Sequence, residues 1–206
     1  RKMLAPVDWD QCEVFVEYGP GVGTFCQPVL DRLRRDGTLI VIDTNPLYVD
    51  YLRKHFRDSR FHAVHGSAAD VVEIVKAHGH DGADYVLSGL PFSTLPDGVG
   101  PAIAQATYDV IRPGGAFLVY QFSAKARDFM ARHFRRIDRG FELLNVLPCQ
   151  LFWGLKDRES SSSASGTGSP VSYTHRTLPT KTLVYLSRAS HTLLTIHNVS
   201  LSSATV

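Results

Sequence analysis

The sequence predicts an α/β fold, with a Rossmann-like, seven-stranded, mostly parallel sheet covered by helices on both faces. Three observations carry that expectation. Short β-rich runs alternate with amphipathic stretches up to about residue 157, a glycine-rich loop follows the first run, and a carboxylate closes the second. Glu13 to Tyr18, Thr38 to Asp43, Phe61 to His65, Ala83 to Ser88 and Ala116 to Phe122 read as strands. Between them Phe25, Val29, Leu30 and Leu33 recur at helical spacing, as do Val71, Ile74 and Val75, and Ile103, Ala106, Thr107 and Val110. The order is five strands with four intervening helices. Gly37 and the Pro113-Gly114-Gly115 turn stop helices ahead of the next strand. A further helix from about Ala124 to Phe134 and two extended runs, Arg139 to Asn145 and Cys149 to Leu155, bring the sheet to seven strands with an antiparallel pair at its edge.

A chain of 206 residues is long enough for one α/β domain and too short for two full ones. The formal net charge of +2 leaves any electrostatic partner to a local patch. Cys12, Cys26 and Cys149 are scattered and form neither a disulfide framework nor a zinc spacing, which fits a reduced, cytoplasmic setting. No apolar run approaches the roughly 20 residues of a membrane-spanning helix, so a soluble chain or one peripheral at the inner membrane face is expected. The first strand starts close behind Arg1, and the domain, residues 1–157, is expected to lack an upstream segment. Residues 158–206 read differently. From Ser160 the chain holds no Asp or Glu and is dense in Ser and Thr, the composition of a disordered or non-native tail. Its stretch from Pro170 to Thr180 also resembles translated sequencing-adapter sequence.

The loop Glu17-Tyr18-Gly19-Pro20-Gly21-Val22-Gly23 lies between a strand and a helix, where glycines let backbone turn sharply and approach a ligand. A dinucleotide fingerprint would place its third glycine at Thr24. The pattern is instead an acid followed by three alternate glycines. S-adenosylmethionine carries an ammonium and a sulfonium in place of a pyrophosphate, so Glu17 at the strand end suits it where a nucleotide phosphate would be repelled. Asp43 follows about 20 residues later, where such folds place a carboxylate on ribose hydroxyls, with Thr44 and Asn45 adding polar contacts. Gly66, Ser67 and Ala68 give a tight turn that admits an adenine edge, while Asp70 is a candidate N-cap. The cofactor contacts expected are Glu17, Tyr18, Gly19, Gly21, Gly23, Asp43, Thr44, Ser67, Ala68 and Ser88.

On Glu17 to Thr24, Ile42-Asp43-Thr44-Asn45, Ser88-Gly89-Leu90-Pro91-Phe92-Ser93, Arg112-Pro113-Gly114-Gly115 and Tyr120-Gln121-Phe122, the stretch from Glu13 to about Asp157 resembles the class I S-adenosylmethionine-dependent methyltransferases. Within them it is most similar to bacterial phospholipid N-methyltransferases, relatives of the ribosomal RNA adenine dimethyltransferases. The resemblance implies methyl transfer to a phospholipid amine, phosphatidylethanolamine, at a membrane surface. The alternatives are N6-methylation of RNA adenine and a non-catalytic cofactor-binding domain.

Ser88 to Phe92 falls where adenine enzymes carry Asn-Leu-Pro-Tyr, so Gly89 stands in the place of the amide that grips a base. Leu90, Pro91, Phe92, Tyr18 and Tyr120 are the candidate reacting-centre residues. Tyr18, Tyr120 or a backbone carbonyl near Leu90 could receive the amine proton, and Tyr18, Phe92, Tyr120 and Phe122 could face a methylated cation. Arg127, Arg132, Arg135, Arg136 and Arg139, with Phe129, Met130 and Phe134 interleaved, read as a basic, partly apolar surface for an anionic membrane or RNA, or as a solvated helix face. The pairs His62/His65 and His78/His80 lack supporting ligands, and no metal is expected.

Overall fold

The computed structural model describes residues 2–121, 125–142 and 149–158. The strands are β1 (Val14–Tyr18), β2 (Thr38–Asp43), β3 (Phe61–His65), β4 (Ala83–Ser88), β5 (Ile111–Gln121), β6 (Arg136–Glu142) and β7 (Cys149–Leu155). Helices α1 (Cys26–Leu30), α2 (Pro46–His55), α3 (Val71–Ala77) and α4 (Val99–Val110) connect the first five strands, and α5 (Lys125–Met130) follows them. In space the strands run β3-β2-β1-β4-β5-β7-β6. The pairings among β1 to β5 are parallel, while β7 pairs antiparallel with both β5 and β6. The seven-stranded, mostly parallel expectation holds.

All five residues of β1 are buried, as in a strand covered on both faces. Alternation then sorts them. Phe15 joins the layer of Val29, Leu33 and Leu52, whereas Val14, Val16 and Tyr18 join the opposite layer of Val71, Val75, Ile103 and Val110. β1 lies between β2 and β4, so chain order reverses beside it and the loops after β1, β2 and β4 converge above one crevice.

β1 starts at Val14, one residue after the expected Glu13, and two boundaries differ by more. β5 starts at Ile111, ahead of the Pro113-Gly114-Gly115 turn, because its pairing with β4 slips between Ala83 and Tyr85 and absorbs the turn as a bulge. Gly115 has to be glycine there, since a Cβ would strike the Asp84 carbonyl. β6 starts at Arg136, three residues early, opposite Leu155 of β7. The helix expected from Ala124 to Phe134 is α-helical over Lys125–Met130, and Phe134 N still bonds Met130 O at 2.8 Å. Phe122, Ala124, Asn145 and the tail from residue 159 lie outside the described residues. Among the described residues no helix is long and apolar enough to cross a membrane.

Candidate functional site

A 120 Å³ cavity opens at the carboxyl ends of the strands. Gly19, Asp43, Thr44, Ser67, Ala68 and Leu90 line it, so six of the expected residues meet in one place. Main-chain bonds hold its walls together: Gly19 N donates to Ile42 O at 2.9 Å, and Gly66 N to Asp43 O at 3.1 Å. Gly19 has φ +60, and a Cβ on it would lie 2.9 Å from Leu90 Cδ2. Only glycine lets the loop close on the β4 loop here.

Asp43 Oδ1 accepts from Asn45 N at 2.8 Å, and no bond to a described residue involves Oδ2, which is left for a diol. Apolar Ile42, Leu90, Leu95, Val99 and Ile103 form the remaining walls. Flat apolar walls beside a carboxylate and Ser67 suit a heteroaromatic ring on a ribose. Pockets for whole small molecules run to about 300 Å³ and more. The enclosed part has room for one end of such a ligand. Leu95, Val99 and Ile103 belong to α4 and its approach, which sequence reading treated only as sheet cover.

Three polar residues expected to meet the ligand also build the walls. The Asn45 side chain accepts from Leu47 N at 3.0 Å and caps α2, ahead of Pro46 in the first turn. Ser67 Oγ accepts from Ala69 N at 3.2 Å and caps the short 3₁₀ turn Ala68–Asp70, whereas Asp70 makes no side-chain cap. Ser88 is fully buried and its Oγ accepts from Leu90 N at 3.2 Å, shaping the turn that carries Leu90. Gly23 is also structural: at φ +84 its missing Cβ leaves room for Leu52 and Phe56, each 2.9 Å from where that atom would sit. Gly21, at φ +55, faces open space.

Glu17 points to the α1 side of the sheet and is 1 % exposed. Cys26 Sγ donates to its Oε2 at 3.5 Å, and Oε1 has no partner among the described residues. Burial raises its pKa to about 7 against the weaker opposing effect of the Cys26 bond. A buried carboxylate with one bare oxygen under a ligand loop is an incomplete ion pair.

Tyr18 corrects the sequence reading. It is fully buried, its ring meets Phe117 edge-on at 6.4 Å, and its hydroxyl lies 3.1 Å from Thr107 Oγ1. Thr107 already donates to Ile103 O at 2.6 Å, so Tyr18 is the donor and is tied into the core beneath α4. Its side chain does not line the cavity. Phe92 is 4 % exposed and packs on Phe129 at 6.0 Å, which makes it a core contact between the β4 loop and α5. Pro91 is exposed. The Leu90 carbonyl accepts from Phe92 N at 2.9 Å.

Tyr120 is half-buried at the end of β5, its ring 5.0 Å from that of Phe25. Its hydroxyl sits over Gly89, where a Cβ would lie 2.6 Å from Cζ and closer still to the oxygen. No positive φ requires a glycine at 89; the phenol does. Burial, then the nearby Glu17 charge, push the Tyr120 pKa well above its ordinary value, so it stays a neutral hydroxyl. The arginine cluster is exposed, but Met130 and Phe134 face the core at 1 % and 2 % exposure, leaving a charged rather than partly apolar surface. His78 Nδ1 engages Ile74 O and His80 Nε2 engages Thr38 Oγ1.

No family model matches the chain. Over 161 residues it is 27 % identical to an ornithine lipid N-methyltransferase of Singulisphaera acidiphila, covering 76 % of this chain and 84 % of that protein. Among solved structures, the N-methyltransferase NodS of Bradyrhizobium japonicum is similar with a TM-score of 0.62, 11 % identity, and coverage of 76 % and 93 %. A precorrin-6y C5,15-methyltransferase of Geobacter metallireducens gives a TM-score of 0.60, 15 % identity, and coverage of 75 % and 87 %. Strand order, the glycine loop after β1 and these likenesses together give the chain the Rossmann-like class I methyltransferase fold.

Proposed function

We propose that the chain is an S-adenosylmethionine-dependent N-methyltransferase whose acceptor is a lipid amine, with phosphatidylethanolamine as the first candidate. The residues present fit the cofactor. The bare Glu17 Oε1 suits an ammonium, Asp43 Oδ2 suits a ribose diol, and the cavity behind Ser67 and Ala68 suits an adenine. When bound, that cofactor supplies a methyl group already activated on positive sulfur. The work left to the protein is alignment and exclusion of water.

The single observation that carries the acceptor class is the Tyr120 hydroxyl over Gly89. An adenine site needs a planar amide there to grip an exocyclic amine. Here that volume holds one neutral hydroxyl, whose oxygen accepts an N–H from an uncharged aliphatic amine and leaves the nitrogen lone pair free for the methyl. Tyr120 is the residue we assign to this hydrogen bond. Tyr18 is engaged with Thr107 and the Leu90 carbonyl with Phe92, so the ammonium proton goes to water before the amine docks. The Singulisphaera relative acts on an ornithine lipid, another aliphatic amine on a lipid, which supports the class.

Labelled methyl transfer into vesicles of phosphatidylethanolamine and phosphatidylglycerol, against structured RNA, tests the reading. Label should enter the lipid. Tyr120→Phe should lower turnover by about 10- to 100-fold while leaving the cofactor affinity unchanged, as loss of a contact made only to the acceptor does. Label in RNA adenine, or in neither substrate with cofactor bound, would overturn it.

A further inference from the structure

We infer that the outer face of α2, with Val22 of the glycine loop, is the surface on which the protein sits against an anionic lipid bilayer; this rests on the lipid-amine reading above. Among the described residues the exposed large hydrophobic side chains are Val22 at 61 %, Leu47 at 75 %, Tyr48 at 41 %, Tyr51 at 39 % and Phe141 at 46 %. Scattered apolar residues on a surface need no explanation, but all of these except Phe141 fall on the glycine loop and α2. The loop itself meets α2 through Gly23, which is seated against Leu52 and Phe56.

α2 is apolar on two faces. Val49 and Leu52 are buried and hold the helix to the domain. Leu47 and Tyr51 stand one turn apart on the opposite face, with Tyr48 beside them. Lys54 belongs to that outer face by the same spacing, and His55 stacks on Tyr51 at 3.7 Å. Between Pro46 and Arg57 the cations Arg53, Lys54 and Arg57 outnumber the one acid, Asp50. Leucine to enter the acyl boundary, tyrosines for the headgroup level and lysine for lipid phosphates are what an interfacial helix presents. The arginines around α5 lack this combination, because their apolar neighbours face inward and Arg136 is paired with Asp138 at 3.0 Å.

Position supports the same occupant. Asp43 and Thr44 line the cavity, Asn45 caps α2, and Leu47 follows directly. A bilayer against this face would put lipid headgroups beside the site that has to receive one. Arg53 donates to Ala63 O on β3, Lys54 lies on the outer face, and the net positive charge of the segment from Pro46 to Arg57 matches an anionic headgroup layer.

The test is flotation of the full chain with vesicles of phosphatidylethanolamine and phosphatidylglycerol. The wild type should float, and Leu47→Ser/Tyr51→Ser should lose about tenfold or more of its partitioning, in line with removal of two interfacial anchors. Lys54→Glu should weaken it, most visibly at low salt, and Phe141→Ser should leave it unchanged. Methylation of vesicle-borne lipid should fall in parallel, while transfer to phosphatidylethanolamine dispersed in detergent and binding of S-adenosylmethionine stay at wild-type level. Equal flotation of wild type and the double variant overturns the inference, as does sedimentation showing that the double variant separates a dimer. A chain that floats through this face but methylates no lipid overturns the lipid-amine reading and leaves the docking face standing.

Discussion

Glu17→Gln should make the ligand-free protein more stable at mildly alkaline pH and leave it unchanged in acid. The carboxyl is 1 % exposed and its pKa is raised to about 7 from an unfolded value of 4.5. The native state thus holds the proton more tightly than the unfolded chain does. The stability this contributes is fully present below pH 4.5 and is lost as pH rises through about 7. A difference of about 2.5 units at 1.36 kcal/mol each is about 3 kcal/mol, present in acid and gone in alkali. Glutamine fills the same space, keeps a partner for the Cys26 thiol and carries no charge, so it avoids that loss. For a domain of this size the gain corresponds to about 6–12 °C in Tm near pH 8. Calorimetry of both proteins from pH 5 to 8 reads it directly. S-adenosylmethionine supplies an ammonium for Oε1, so ligand and charge should help each other. Because Glu17 ionises as pH rises through about 7, wild-type affinity should be several-fold higher at about pH 8 than at about pH 6, and the variant's should not change. Parallel stability–pH curves for wild type and Glu17→Gln would refute the reasoning.

Asp43→Ala should abolish the rise in Tm that S-adenosylmethionine gives the wild type while keeping the ligand-free Tm, because the outward Oδ2 serves the ligand; an undiminished rise would place the ribose elsewhere. Gly23→Ala should cost about 2–5 kcal/mol in denaturant unfolding, combining a left-handed φ with a clash on Leu52 and Phe56, whereas Gly21→Ala should cost only about 1–2. Equal costs would refute the assignment of Gly23 to α2 packing. Gly89→Asn should displace the Tyr120 phenol and lower lipid methylation without creating RNA methylation, as read by labelled transfer. Deleting residues 160–206 should leave Tm and cofactor affinity unchanged; loss of soluble folded protein would show that the tail supports the domain.

Much of the sheet was legible because its signals are local. The observed bounds of β2, β3, β4 and β7 coincide with the β-rich runs, each ended by a turn or a polar residue. The start of β5 was not legible. Ile111 pairs with Ala83 across a register slip, and nothing in Arg112-Pro113-Gly114-Gly115 distinguishes a bulge from a turn until a partner strand is present. α2 was counted among the four intervening helices, but no single apolar stripe marked its bounds. Apolar residues at 47, 48, 49, 51 and 52 surround the helix instead of forming one stripe, because one set packs inward and the other stays exposed. Asn45, Ser67 and Ser88 looked like ligand contacts since short polar side chains serve caps and ligands equally well in sequence. In all three the main-chain N–H two residues later donates to the side-chain oxygen, a capping role that a partner strand or helix has to be present to reveal.

The separation of Glu17 from Tyr18 follows from strand parity alone. Neighbours on a strand point to opposite faces, so one of them had to face α1 and the other α4. Phe15, two residues before Glu17, packs with Val29 and Leu33 on the α1 side, and Glu17 must follow it under the glycine loop. Tyr18 then joins Val14 and Val16 under α4, where Thr107 takes its hydroxyl. The same rule on β5 puts Tyr120 with Ala116 and Leu118 on the α1 side, the side of Glu17 and Phe25. The Glu17 carboxylate and the Tyr120 hydroxyl therefore share one face at the ends of β1 and β5, with β4 between them. On the proposed reading, that shared face makes Gly89, which leaves room for the phenol between them, the position that selects the amine.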